Sequence, residues 1–335
     1  MDQIKWGIIG CGDVTEVKSG PAFSKIDHSE LVAVMRRNAE KAEDYAKRHN
    51  VSRWYSDADK LINDSQVNAI YIATPPDSHA HYTKKAAQAG KAVYVEKPMG
   101  LNHEECLEMI SACEEAGVPL FVAYYRRALP YFLKVKELLD NDAIGTVTSV
   151  SIELIQPPKP DDFKSPEEHN NWRTKPEISG GGYFHDLASH QLDLMEFLLG
   201  PIKNIAGNST NKMGWYNASD VLSASFLFEK DIPGLGLWNF TAQPDQKKDR
   251  TTIMGRDGSI IFSTFDDSKP VLLETSSGKE EFDIPYPKHV QQPLIQTVVN
   301  DLRGVSESPS TGETGARANL LMDKITDREY RETFM

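Results

Sequence analysis

The chain has 335 residues, enough for about two domains of ordinary size. Hydrophobic residues make up 39% and charged residues 26%, a globular composition, and no apolar run approaches the ~20 residues of a membrane helix, which excludes a span of that kind. With 37 basic against 49 acidic residues, net charge -12, the chain is unsuited to phosphate backbones or anionic lipid, and the basic clusters at Arg36–Arg37, Arg126–Arg127 and Lys247–Arg250 are too small for a nucleic-acid groove. Three cysteines make no disulfide framework, and an apolar strand begins directly after Met1-Asp2-Gln3, so the expected location is the cytoplasm.

In chain order, Ile4–Ile9 predicts the first strand and Leu31–Met35 the second. Ala69–Ala73 is a buried strand stopped by Thr74-Pro75-Pro76, after which Asp77 or Ser78 caps a helix ending at Ala89-Gly90. Ala92–Val95 is the next strand. Asn102 and Glu105 stand in capping-box spacing at the start of a helix that closes at Ala116-Gly117, and Leu120–Ala123 is the last parallel strand. Strands alternating with helices predict a doubly wound parallel sheet over residues 1–123.

From Thr146 the rhythm changes to extended segments: Val147–Ile155, Val221–Phe228, Gly234–Thr241, Thr251–Phe262 and Val271–Thr275. They predict an α+β domain over residues 124–335, built on a large, mostly antiparallel open sheet. Alternation along Val147–Ile155 leaves apolar residues on both sides, so one face is expected to meet a symmetric partner. The main helix here runs from Gly182 to Leu199, stopped by Gly200-Pro201, with Leu187, Gln191, Leu194 and Leu198 on one face and Asp186, His190, Asp193 and Phe197 on the next.

Chemistry gathers at a few points. Gly10-Cys11-Gly12-Asp13-Val14-Thr15 follows the first strand, either as an ordinary βα turn or as the place where a dinucleotide pyrophosphate meets backbone N–H groups, and its position inside a βαβ unit favours the second, a Rossmann domain over residues 1–123. Thr15 stands in place of the third fingerprint glycine and predicts looser packing of helix on strand. After the second strand comes Met35-Arg36-Arg37-Asn38, with no acid until Glu40; two guanidinium groups suit a 2′-phosphate, or are a solvated surface pair. Glu96-Lys97-Pro98 puts a lysine at the carboxyl edge of the sheet, where it could hold the oxygen of an alcohol or carbonyl.

In the second half, Gly180-Gly181-Gly182 allows another chain or a ligand close to the backbone, and Asp186 and His190 follow one turn apart. Histidine exchanges protons near neutral pH, and a neighbouring carboxylate would orient it; the same spacing also fits a structural pair or half of a metal site. No further ligands stand at metal-binding spacing, and no metal is expected.

Taken in order, the glycine loop, Ala73-Thr74-Pro75-Pro76-Asp77-Ser78-His79, Glu96-Lys97-Pro98, Trp172-Arg173, Gly180-Gly181-Gly182 with Asp186, His190 and Asp193, and Ser308-Pro309-Ser310-Thr311-Gly312-Glu313 resemble the Gfo/Idh/MocA oxidoreductases, the group of glucose-fructose oxidoreductase and inositol dehydrogenase. The resemblance spans nearly the whole chain. It implies Lys97, Asp186 and His190 as catalytic residues. It places cofactor contacts at Gly10, Cys11, Gly12, Asp13, Val14, Arg36, Arg37, Thr74, Pro75, Pro76, His79, Glu96 and Lys97, joined by Trp172 and Arg173.

Tyr125, Arg126, Tyr183 and His185 flank those positions and are candidate substrate contacts. The activity implied is hydride transfer between NADP(H) or NAD(H) and a secondary alcohol or carbonyl of a sugar, cyclitol or related polyol, in a homo-oligomer, a dimer or tetramer, formed through the second-domain sheet; Arg36 and Arg37, with no carboxylate beside them, make NADP(H) the preferred nucleotide. Some members of the family cleave glycosides with a retained nucleotide. A nucleotide-binding sensor without turnover is a further alternative, which the joint presence of Lys97, Asp186 and His190 disfavours.

Overall fold

The computed structural model describes residues 1–163 and 171–326. The chain forms two compact units, one of Met1–Leu129 with Pro287–Arg317, the other of Pro130–Tyr286 with the chain from Ala318.

The first unit opens with β1 (Ile4–Ile9), α1 (Asp13–Val17), β2 (Ser29–Met35), α2 (Ala39–Arg48), β3 (Arg53–Tyr55), α3 (Ala58–Ile62), β4 (Ala69–Ile72), α4 (His79–Gln88), β5 (Ala92–Val95), α5 (His103–Glu115) and β6 (Leu120–Val122). Its six strands run parallel in the order β3-β2-β1-β4-β5-β6, the Rossmann arrangement. Strands β4 and β5 are buried throughout, as expected of short apolar runs covered by helices on both faces. The strand order reverses between β1 and β4, so the carboxyl ends of β1, β4 and β5 meet at the switch point where such sheets bind ligands. Beneath them Tyr71 and Tyr94 stack at 5.1 Å and Trp6 packs on Phe23 at 4.9 Å.

The second unit continues with α6 (Pro130–Asp140), β7 (Val147–Ile155), α7 (Pro176–Ser179), α8 (Gly182–Leu199), β8 (Ile202–Thr210), β9 (Val221–Phe228), β10 (Pro233–Asn239), β11 (Lys248–Gly255), β12 (Gly258–Phe262), β13 (Val271–Thr275) and β14 (Gly278–Phe282). The sheet has eight strands in the order β14-β13-β12-β11-β7-β10-β9-β8, antiparallel except for the β7–β10 pair. One face is buried: Leu222, Phe226, Phe228 and Trp238 point inward, and Trp238 Nε1 donates to Gln191 Oε1 of α8 at 2.8 Å. The other face exposes Leu235, Leu237 and Met254.

Two features of this sheet differ from the expectation. Thr251–Phe262 is not one extended segment but the hairpin of β11 and β12. Strands β8 and β14 are the two edges of the sheet. Edge strands carry polar side chains that discourage further pairing, which is why neither reads as a strand by its apolar pattern.

The chain then returns to the first unit. After α9 (Gln292–Leu302), Ser310 Oγ donates to Val122 O at 2.7 Å, Thr311 bridges Phe121, and Arg127 Nη1 donates to Pro309 O at 2.7 Å, so the returning segment covers the free edge of β6. The last helix, α10, spans Gly312–Thr326. The sequence predicts a single boundary after residue 123; by compactness residues 287–317 group with the first unit, where Ser310 and Thr311 pair with the edge of β6.

Candidate active site

The glycine loop is built from backbone. Gly10 has φ +94, and the N–H groups of Gly10 and Cys11 both donate to Met35 O, at 2.9 and 3.1 Å, which ties the loop to the end of β2. A side chain at Gly10 would press on Thr74 Cγ2 at 2.8 Å, so this loop and the loop after β4 touch. At Gly12 the nearest atom to an added Cβ would be Gly10 O at 3.8 Å, which leaves the backbone open to a ligand and fits a pyrophosphate. Asp13 is exposed and Val14 half-buried in the first turn of α1.

Thr15 does not loosen the packing as expected. It is fully buried, and the hydroxyl it adds is used, its Oγ1 donating to Gly12 O at 2.8 Å; the backbone carbonyl accepts from Tyr45 Oη at 2.8 Å. Burial pushes the Cys11 thiol up to about 11, which makes it a packing residue rather than a nucleophile. Arg36 is half-buried and its Nη1 donates to Cys11 O at 3.3 Å, while Arg37 is exposed.

Past β4, Thr74 and Pro75 are half-exposed, and Ser78 Oγ donates to Thr74 Oγ1 at 2.8 Å. Pro76 is buried. His79, expected to contact the cofactor, has no exposed surface: Nε2 lies 2.8 Å from Thr74 O and Nδ1 3.1 Å from Pro98 O. The ring braces the loop after β4 against the loop after β5, and burial pushes its pKa down against the pull of those carbonyls.

Lys97 is half-buried at the end of β5, and the Lys97–Pro98 peptide is cis. Glu96, also expected at the cofactor, is 7% exposed and turned inward. Its Oε1 accepts from Tyr71 Oη at 2.5 Å and Gln291 Nε2 at 2.6 Å, and its Oε2 accepts from the Lys97 N–H at 3.1 Å. Sequence reasoning missed Tyr71, Tyr94 and Gln291. The last lies 195 residues from its partner, and no spacing rule reaches that far. Tyr125 and Arg126 sit in the 3₁₀ turn after β6, both buried, with the guanidinium 4.9 Å from the ring.

In the second unit, Asp186 and His190 stand one turn apart on α8, Asp186 half-buried and His190 4% exposed with its ring edge-on to Phe265 at 6.1 Å. Arg173 Nε donates to Asp186 Oδ2 at 3.0 Å while its guanidinium stacks 4.5 Å from the Trp172 ring. Arg173, which with Trp172 is expected at the cofactor, holds the carboxylate of Asp186.

Tyr183 and His185, expected as substrate contacts, face the interior. Tyr183 Oη donates to Asp162 Oδ1 at 2.7 Å and accepts from Asn171 Nδ2 at 2.7 Å, and burial raises its pKa. The His185 ring fills the space a side chain at Gly181 would need, and Ala218 fills that beside Gly182, so the glycine run admits the protein's own groups rather than a ligand. Lys159, not singled out in the sequence, places its ammonium 4.5 Å from the Tyr183 ring, and burial lowers its pKa. Among the described residues no three His, Cys, Asp or Glu side chains gather to hold a metal, and no helix is long and apolar enough to cross a membrane.

Comparison with known proteins supplies the wider context. Residues 4–124 match the model described as "Oxidoreductase family, NAD-binding Rossmann fold", and residues 132–261 match the GFO/IDH/MocA C-terminal domain. The chain is 45% identical to Oxidoreductase P35 of Formosa agariphila over 96% of its length and 98% of that protein's. Among solved structures it resembles the WlbA dehydrogenase of Bordetella pertussis in complex with NADH and UDP-GlcNAcA, with TM-score 0.80 and 25% identity over 99% of this chain and 97% of that one. It also shares the fold of a levoglucosan dehydrogenase in complex with NADH and levoglucosan, with TM-score 0.86 and 21% identity over 99% and 97% of the two chains.

His185 makes the fold sensitive to acid. Burial pushes its pKa from 6.5 to about 4, so in this window the unfolded chain binds a proton that the folded chain does not. Its contribution is complete above pH 6.5 and is lost as pH falls toward 4, by about 3 kcal/mol in all. Urea denaturation at both ends of that window should show a smaller loss of stability in His185→Gln than in the wild type; equal pH slopes would contradict the assignment.

Proposed function

The chain belongs to the Gfo/Idh/MocA oxidoreductase family and is a dehydrogenase or reductase, and we propose that it transfers a hydride between NADP(H) and a secondary alcohol or carbonyl of a sugar, cyclitol or related polyol. The observation that carries this proposal is Lys97, a lysine at the carboxyl end of β5 whose backbone N–H is held by a buried carboxylate beside the switch point of the sheet.

The backbone of Gly10–Val14, the side chains of Arg36 and Arg37 and the Thr74–Pro76 loop would hold a nicotinamide nucleotide, which would supply the hydride chemistry. Lys97 donates a hydrogen bond to the reacting oxygen and stabilises the charge that develops there. His190 takes the hydroxyl proton in oxidation and returns it in reduction, and Asp186, itself held by Arg173, orients the imidazole. Tyr125 and Arg126 are assigned to the substrate; Tyr183 and His185 are withdrawn from it, because their polar groups face inward. The proposed setting is the cytoplasm.

Lys97→Ala and His190→Ala should each lower turnover at least about a hundredfold while leaving nucleotide affinity nearly unchanged. A nicotinamide-absorbance assay across sugars, inositols, keto-sugars and diols measures this, and near-normal turnover in either variant removes that residue from the mechanism.

For the nucleotide, charged hydrogen bonds from Arg36 or Arg37 to a 2′-phosphate should give about a ten- to hundredfold preference for NADP(H). Support comes from the missing carboxylate after β2 and from Arg36 lying against the glycine loop. Equal dissociation constants for the two nucleotides, or an unchanged preference in the Arg36→Ala, Arg37→Ala double variant, would overturn it.

The outer face of the second-unit sheet, with Leu235 63% exposed and Met254 52% exposed, is proposed to bury itself against a symmetric partner. Light scattering at micromolar concentration should give a dimer or tetramer, and a monomer there would exclude it.

A further inference from the structure

A lysine that must meet a reacting oxygen within a fraction of an ångström needs rigid backbone behind it. Behind Lys97 stands Glu96, whose buried carboxylate accepts from the Lys97 N–H with one oxygen and from Tyr71 and Gln291 with the other. Gln291 is fully buried and uses both ends of its amide: Nε2 donates to Glu96 at 2.6 Å and Oε1 accepts from Tyr94 Oη at 3.2 Å. Its backbone N–H donates to Lys18 O at 3.1 Å, on the segment leaving α1.

Two residues earlier, His289 makes a second tie to the same segment. The Lys25 ammonium can only donate, so His289 Nε2 accepts from it at 2.6 Å and Nδ1–H donates to Val17 O at 2.6 Å. The stretch from His289 to Gln291 therefore holds the exit of the glycine-loop helix and the end of β5 together.

We propose that Gln291 is a positioning residue of the reaction: through Glu96 it sets the backbone on which Lys97 stands and locks that backbone to the nucleotide-binding loop. Only a side chain that both donates and accepts serves here. A carboxylate would face Glu96 with like charge, and an apolar group would leave the Tyr94 hydroxyl without its acceptor and one acceptor position on Glu96 Oε1 unmet in a site closed to water. Tyr71 remains as a second donor to Glu96, so the loss of Gln291 is expected to displace the Lys97 backbone rather than unfold the unit.

The inference rests on the assignment of Lys97 to the reaction, and its test separates the two. In the full-length chain, with NADPH or NADP and the fastest substrate of a panel of aldoses, inositols and keto-sugars, Gln291→Ala should lower kcat about tenfold or more and leave the nucleotide KM within about threefold. Gln291→Glu should be poorer still at neutral pH and recover as pH falls, when the added acid is protonated and can donate to Glu96, a response that a purely structural role would not produce. Hydrogen exchange of a peptide covering Val95–Gly100 should speed up in Gln291→Ala. If that variant does not fold, Tyr94→Phe, which removes one hydroxyl, carries the same expectation. Wild-type kcat and wild-type exchange at Val95–Gly100 in these variants would overturn the role of Gln291, whereas wild-type turnover in Lys97→Ala would overturn the assignment of Lys97 instead.

Discussion

Glu96 carries a carboxylate buried at the carboxyl end of β5, and a buried charge of that kind persists only where donors reach it. Tyr71 reaches it from β4, the Lys97 N–H from its own chain, and Gln291 from the returning segment. Much else in the first unit follows from that requirement. The stacked pair Tyr71 and Tyr94 directs its hydroxyls toward this network, and the chain comes back after the second unit to place Gln291 and then to cover β6. The loop carrying Lys97 is thus bounded on one side by Glu96 and on the other by His79, which spans from Pro98 to Thr74.

The second unit uses buried acids in the same manner. Asp220 accepts from the N–H groups of Lys212 and Met213, at 2.7 and 2.8 Å, and closes the turn that follows β8. Asp249 accepts from the hydroxyl of Ser263 and from the N–H groups of Thr264 and Phe265, which fixes the loop whose Phe265 ring meets His190. Asp162 holds Tyr183 at the start of α8. A chain with a net charge of -12 carries part of its acid inside, where each of these carboxylates collects N–H or O–H donors and fixes a local turn or side chain, Asp249 doing so in the loop whose Phe265 meets His190.

Local signals made five of the six strands of the first sheet legible, while β3, three residues long, carries too short a pattern to read. Asn102 is the cap of α5 and accepts from the Glu105 N–H as its spacing predicts, and the apolar runs at 69–72 and 92–95 are the buried central strands. Motifs likewise located the loops that converge at the switch point. Direction was not legible: Glu96, His79, Tyr183 and His185 occupy motif positions, yet their side chains turn inward, and spacing says where a residue stands but not which way it faces. Edge strands such as β14 hide behind a polar composition, and Gln291 shows no pattern because its partners lie in distant parts of the sequence. Thr15 shows the converse, a departure from the glycine fingerprint that the structure absorbs by giving the hydroxyl a carbonyl partner.

Direct hydride transfer between a nicotinamide and a carbon bearing oxygen is the chemistry proposed for this site. Incubating the protein with NADPH deuterated at the nicotinamide C4, each stereoisomer in turn, together with a panel of keto-sugars and inosose-type ketones, and locating the label by mass spectrometry, tests that claim most directly. Deuterium is expected on the newly formed carbinol carbon from one C4 position only. Reduced product without label from either stereoisomer, or nucleotide bound with no product from any carbonyl offered, would contradict it.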